Sequence, residues 1–119
     1  MSIKLYGDLT SQPFRAVLSL LEIEKAKVGK FEVVYLKMSK KQHKTKEYLA
    51  INPMGKVPSM QVIREGKPDI NMNESHAMMK YICASKRLAD HWYPTSPERD
   101  YYLQQRMDQY LDWHHQGIR

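Results

Sequence analysis

Apolar and polar residues alternate over Ile3-Lys4-Leu5-Tyr6 and stop at Gly7-Asp8, the pattern of a short strand. Ser11, Gln12 and Pro13 follow as a helix start, with a capping hydroxyl and a proline where its missing N–H costs little. Phe14, Val17, Leu18 and Leu21 then recur at helical spacing and give that helix one apolar face, until Gly29 breaks the pattern. Residues 31–36 (FEVVYL) are β-branched, aromatic and nearly continuous, which predicts a buried strand. A strand, a helix and a second strand in that order form a right-handed crossover between parallel strands.

A short helical stretch is predicted over 45–51, followed by turn chemistry in Asn52-Pro53-Met54-Gly55. Residues 59–63 and 70–72 read as two strands of a hairpin joined through a glycine-containing loop. Asn73-Glu74-Ser75 opens another helix, with Ala77, Tyr81, Ala84 and Leu88 on its expected inner face. The order strand, helix, strand, helix, strand, strand, helix predicts an α/β fold, a thioredoxin-like four-stranded mixed sheet with helices on both faces. Residues 1–88 would form that domain and 89–96 a linker. Ser96-Pro97-Glu98 then starts a further helix, whose stripe is Leu103, Met107, Tyr110, Leu111 and His114, with Tyr102 and Trp113 beside it. So much apolar surface expects more protein against it, so 97–119 reads as the first helix of an incomplete all-α domain.

Composition narrows the class. Of 119 residues, 42% are hydrophobic and 27% charged, which is globular and excludes wholesale disorder. Cys83 is the one cysteine, so neither a disulfide framework nor a CxxC motif is available. The start, Met1-Ser2-Ile3-Lys4-Leu5, lacks the apolar core of a signal peptide, and no apolar run is long enough to cross a membrane. A cytoplasmic protein without a membrane partner is expected. The net charge of +6 is concentrated in residues 37–46 (KMSKKQHKTK). That segment has no arginine stripe, aromatic interleaving or nucleic-acid motif, so no nucleic-acid partner is expected. It reads first as a solvated lysine loop, second as a site for a small anion, and third as a polyanion-binding surface.

Taken together, several motifs resemble one family. Leu5-Tyr6-Gly7-Asp8-Leu9-Thr10-Ser11-Gln12-Pro13-Phe14-Arg15-Ala16 is similar to the opening of theta-class glutathione transferases. Gln42-His43-Lys44, Asn52-Pro53-Met54-Gly55-Lys56-Val57-Pro58, Glu74-Ser75, His91-Trp92-Tyr93-Pro94 and Tyr110-Leu111-Asp112-Trp113 follow in the family's order. The resemblance implies a thioredoxin-like glutathione-binding domain and the opening helix of an all-helical domain, the rest of which is missing. It also implies transfer of the glutathione thiolate to small electrophiles, glutathione as co-substrate and a homodimer at full length. The alternative is a non-catalytic interaction domain of the same fold.

The resemblance assigns residues to that chemistry. A thiol must ionise to attack, and Ser11 stands where the family's serine donates to the thiolate. From the residues alone, Ser11 reads equally as a helix cap. Val57 precedes the family's cis-proline turn and would pair its backbone with the cysteinyl unit like an added strand. A trans proline at a strand start is the other reading. Glu74 and Ser75 match the segment that holds the γ-glutamyl end, against simple helix initiation as the plainer alternative. His43, Lys44 and Lys56 match contacts to the glycyl carboxylate, and Arg119 matches an arginine near the sulfur and the electrophile. The His114-His115 pair has no evident third ligand, so no metal is expected. The chain departs from the family where Lys40-Lys41 replaces a glycine before Gln-His, and where residues 24–30 and 64–69 look longer than usual.

Overall fold

A computed structural model of the chain describes residues 1–115. The chain divides into two compact units, Met1–Met79 and Lys80–Arg119, with the division falling inside one helix. The first unit runs β1 (Ser2–Gly7), α1 (Gln12–Ile23), a one-turn α2 (Lys25–Val28), β2 (Phe31–Tyr35), two short 3₁₀ turns (Met38–Lys40 and Gln42–Lys44), α3 (Lys46–Ile51), β3 (Ser59–Ile63) and β4 (Ile70–Met72). The helix α4 (Ser75–Ser85) starts in this unit.

The strands form one sheet in the order β2-β1-β3-β4. β1 and β2 are parallel, with Gly7 opposite Tyr35, while β3 is antiparallel to β1, with Tyr6 opposite Ser59. β4 is antiparallel to β3. This is the mixed sheet with flanking helices that the element order predicts. Ile3, Leu5, Met60 and Val62 from the two central strands, with Phe14, Val17, Leu20 and Leu21 from α1, are buried.

Two expectations about burial are corrected. β2 is not a buried strand, since Glu32 and Tyr35 are exposed and Phe31, Val33 and Val34 only partly covered. β2 lies at the sheet edge, where one flank has no neighbouring strand, and an apolar run alone does not distinguish edge from centre. In α4, the buried positions are Ser75, His76, Met78, Ile82 and Cys83, whereas Ala77 and Ala84 are exposed and Tyr81 is partly covered; Leu88, just past the helix, is buried as expected. The helix is rotated from the expected face because Met and Ile bury more apolar surface than Ala.

In the second unit, α5 (Pro97–Gln109) begins as the sequence predicts, with the Ser96 hydroxyl accepting from the Arg99 backbone N–H at 3.4 Å. A π-helical stretch, Tyr110–His115, continues it. Asp108 accepts from the Lys80 ammonium and the Tyr93 hydroxyl, each at 3.0 Å. Burial and that hydrogen bond push the Tyr93 hydroxyl up to about 12. Arg99 holds the Asp100 carboxyl below the usual carboxylate range. Leu103 and Tyr110, from the expected apolar stripe, are exposed within this unit, as is Tyr102. Arg119 lies outside the described residues, as do the side chains of Trp113, His114 and His115. No described helix is long and apolar enough to cross a membrane.

Candidate functional site

The sheet topology gathers the singled-out residues. Parallel pairing puts the C-terminal ends of β1 and β2 on one edge, and antiparallel pairing brings the start of β3 and the end of β4 to it. Ser11 follows β1, His43 and Lys44 follow β2, Lys56 and Val57 precede β3, and Glu74 and Ser75 follow β4. Residues scattered over more than half of the chain therefore share one end of one sheet.

Ser11 is buried, 9% exposed, at the N-cap of α1. Its hydroxyl oxygen accepts from the Phe14 N–H at 3.3 Å, so the cap reading is realised. Capping uses only a lone pair, and among the described residues no acceptor takes the hydroxyl's own proton. Cap and donor are thus compatible roles of one group.

His43 keeps a buried Nδ1 without a hydrogen-bond partner among the described residues. Lys44 donates from Nζ to the Gly55 carbonyl at 2.9 Å, which ties the lysine segment to the turn before β3. Gly55 has φ 62, which favours glycine, and a Cβ there would sit 3.0 Å from Lys44 Nζ and 3.1 Å from Leu49 Cδ2, so both side chains would have to give way. The Lys56 side chain is exposed, while its carbonyl accepts from the Tyr48 hydroxyl at 2.6 Å and from Asn52 Nδ2 at 2.9 Å. Burial pushes the Tyr48 hydroxyl up, which keeps it protonated as a donor. The Val57-Pro58 peptide is cis, which the sequence left open. Among the described residues nothing hydrogen-bonds the Val57 backbone.

Glu74 is exposed and left-handed at φ 69, uncommon for a residue with a Cβ, and its carbonyl accepts from the Met78 N–H as α4 begins. Ser75, buried, is the first residue of that helix, where backbone N–H groups favour a negative partner. Lys41 is also left-handed, at φ 55, between the two 3₁₀ turns and beside the position where the resembled pattern carries glycine. Lys41→Gly should therefore stabilise the chain by up to about 1 kcal/mol, read as a higher urea midpoint at unchanged slope.

Sequence reasoning missed Asp8, Tyr48 and Asn52 as organisers of this end of the sheet. Asn52 was visible only as turn chemistry and Tyr48 only as a helical residue, because their acceptor, the Lys56 carbonyl, is a backbone group without a sequence signature. Among the described residues no group of His, Cys, Asp and Glu is placed to hold a metal.

The family model described as "Glutathione S-transferase, N-terminal domain" matches residues 1–84. The chain belongs to this family. Human glutathione S-transferase theta-2 is 38% identical over 120 aligned positions, which take in all of this chain and 44% of that protein. Glutathione S-transferase T3 of Arabidopsis thaliana is 37% identical over all of this chain, which is 18% of its own length. Among solved structures, human theta-2 in complex with glutathione and an unknown ligand superposes with a TM-score of 0.79 at 33% identity, covering 98% of this chain and 43% of that one. A human theta-class enzyme with the glutathione conjugate of 1-menaphthyl sulfate gives 0.78 at 34% identity, covering 100% and 44%. The chain therefore spans less than half the length of these relatives, and its likeness to the theta class covers the whole of it.

Proposed function

We propose that this chain binds glutathione and, in the protein as a whole, supports transfer of the glutathione thiolate to small electrophiles. The observation that carries the reading is the Ser11 hydroxyl, which caps α1 with its oxygen and retains a proton to donate. Donation to sulfur favours the ionised thiol, and the N-terminal end of α1 adds to that preference. The thiol proton leaves to solvent, the sulfur attacks the electrophilic carbon, and the leaving group departs with its electron pair.

The remaining residues hold the tripeptide. The Val57 backbone, unengaged among the described residues, pairs with the cysteinyl amide as an added strand would. Glu74 faces the γ-glutamyl ammonium, and Ser75, with the first N–H groups of α4, takes its carboxylate. His43, Lys44 and Lys56 face the glycyl carboxylate. For Arg119, outside the described residues, a part in handling the electrophile rests on the family resemblance alone. A homodimer at full length, a cytoplasmic location and a detoxifying role complete the reading, as extensions of the proposed transferase activity.

Titration calorimetry of the chain with glutathione tests the binding. Saturable uptake is expected, and none at millimolar glutathione would reject the site. Glu74→Gln and Lys56→Ala should each weaken binding by up to about fivefold, the scale of an exposed charge pair. The Lys56→Ala loss should shrink at high salt, because exposed charges are screened. Unchanged affinity in both variants would remove these contacts from the site.

A further inference from the structure

The loop that carries Ser11 and the segment that carries His43 and Lys44 are not adjacent in sequence, yet one carboxylate holds both. Asp8 Oδ2 accepts from the Met38 backbone N–H at 2.8 Å, thirty residues away, and Oδ1 accepts from the Thr10 N–H at 3.0 Å. The Asp8 carbonyl accepts from the Ser11 N–H at 2.8 Å, so the residue grips the Ser11 loop through its backbone as well. Arg15 secures the same loop from α1, donating to the Leu9 carbonyl at 2.7 Å. On the other side, Gln42 Oε1 accepts from the Lys37 N–H at 2.8 Å, and the Gln42 N–H donates to the Lys37 carbonyl at 3.2 Å. Hydrogen bonds thus join Ser11 to Asp8 and Asp8 to Met38, the peptide bond joins Met38 to Lys37, and hydrogen bonds join Lys37 to Gln42, next to His43. The Met38 and Thr10 N–H groups hold the Asp8 carboxyl below the usual range, so it is ionised at neutral pH, with both oxygens accepting.

We propose that Asp8 is a positioning residue, which fixes the Ser11 hydroxyl relative to the His43-Lys44 segment so that both engage the same tripeptide. The proposal rests on the glutathione reading above, but Asp8 itself need not touch the ligand. Two acceptor oxygens are required, because the two donors arrive on different oxygens. Asparagine has one acceptor oxygen and turns an N–H₂ toward the other donor, so Asp8→Asn keeps one of the two bonds.

The test uses the whole chain with glutathione as the titrant. Asp8→Ala should weaken binding roughly tenfold, the scale of losing about 1.4 kcal/mol of charge-assisted hydrogen bonding. Asp8→Asn should fall between the variant and the parent. The specific readout is a double-mutant cycle between Ser11→Ala and Lys44→Ala, measured with and without Asp8→Ala. Coupling is expected in the parent and additivity once Asp8 is gone, which a general loss of stability would not produce. If Asp8→Ala fails to fold, the same cycle in Asp8→Asn should show reduced coupling. A parent that binds glutathione, with Asp8 variants within twofold of it or with coupling unchanged, overturns the proposal and leaves the glutathione reading standing. A parent that binds no glutathione overturns both.

Discussion

Ser11→Ala is expected to raise the thiol pKa of bound glutathione by about 1–2 units, the equivalent of one hydrogen bond to a charged group. The same substitution removes the cap of α1, since the Ser11 oxygen accepts from the Phe14 N–H. A stability loss of about 1 kcal/mol should accompany it, so the fold persists but with a lower urea midpoint. Ser11→Asp separates the two effects. Aspartate caps as well as serine, so most of the stability should return, whereas its charge repels the thiolate and raises the thiol pKa further. Thiolate ultraviolet absorbance, followed against pH at saturating glutathione, reads the ionisation directly. Equal thiol pKa values in parent and Ser11→Ala would reduce Ser11 to a cap alone.

Gly7→Ala should be among the most destabilising single substitutions in the chain, at about 2–3 kcal/mol by urea unfolding. A Cβ on Gly7 would lie 2.0 Å from Phe14 Cδ1, 2.5 Å from Cγ and 2.7 Å from Cε1. All three are ring atoms near the base of the side chain, so rotation of a flexible tip cannot relieve the overlap. Phe14 is fully buried, and its ring meets Tyr35 edge-on at 6.0 Å. Moving it displaces the N-terminal turn of α1, and with it Ser11. Combining Gly7→Ala with Phe14→Leu, which shortens the ring side chain, should restore part of the loss. The double variant is expected to be more stable than the sum of the singles by about 1 kcal/mol or more. Strict additivity would show that the two positions do not compete for the same space.

The strands of the central hairpin, the capped start of α1 and the capped start of α5 were legible because each depends on neighbours in sequence. A hydroxyl before a proline, a glycine between two apolar runs and a period of two or 3.6 are local signals. Ser11, His43, Lys44, Lys56, Val57, Glu74 and Ser75 were legible as a set only through the resemblance, since each alone also reads as a cap, a turn or a solvated cation. The edge position of β2 and the rotation of α4 were not legible. Periodicity reports which residues can be buried, not which strand has a neighbour on both sides.

By itself, then, the sequence determined the kinds of element, their order and the chemistry each loop carries, because propensity, capping and turn formation act over a few residues. Tertiary structure alone decided that four loops meet at one end of the sheet, through the parallel pairing of β1 with β2 and the antiparallel pairing of β1 with β3 and of β3 with β4. It also decided that Asp8 reaches Met38, that Lys44 reaches Gly55, and that Tyr48 and Asn52 share the Lys56 carbonyl. Each of these partners is a backbone group, which every residue type presents alike, so only the folded path of the chain selects it.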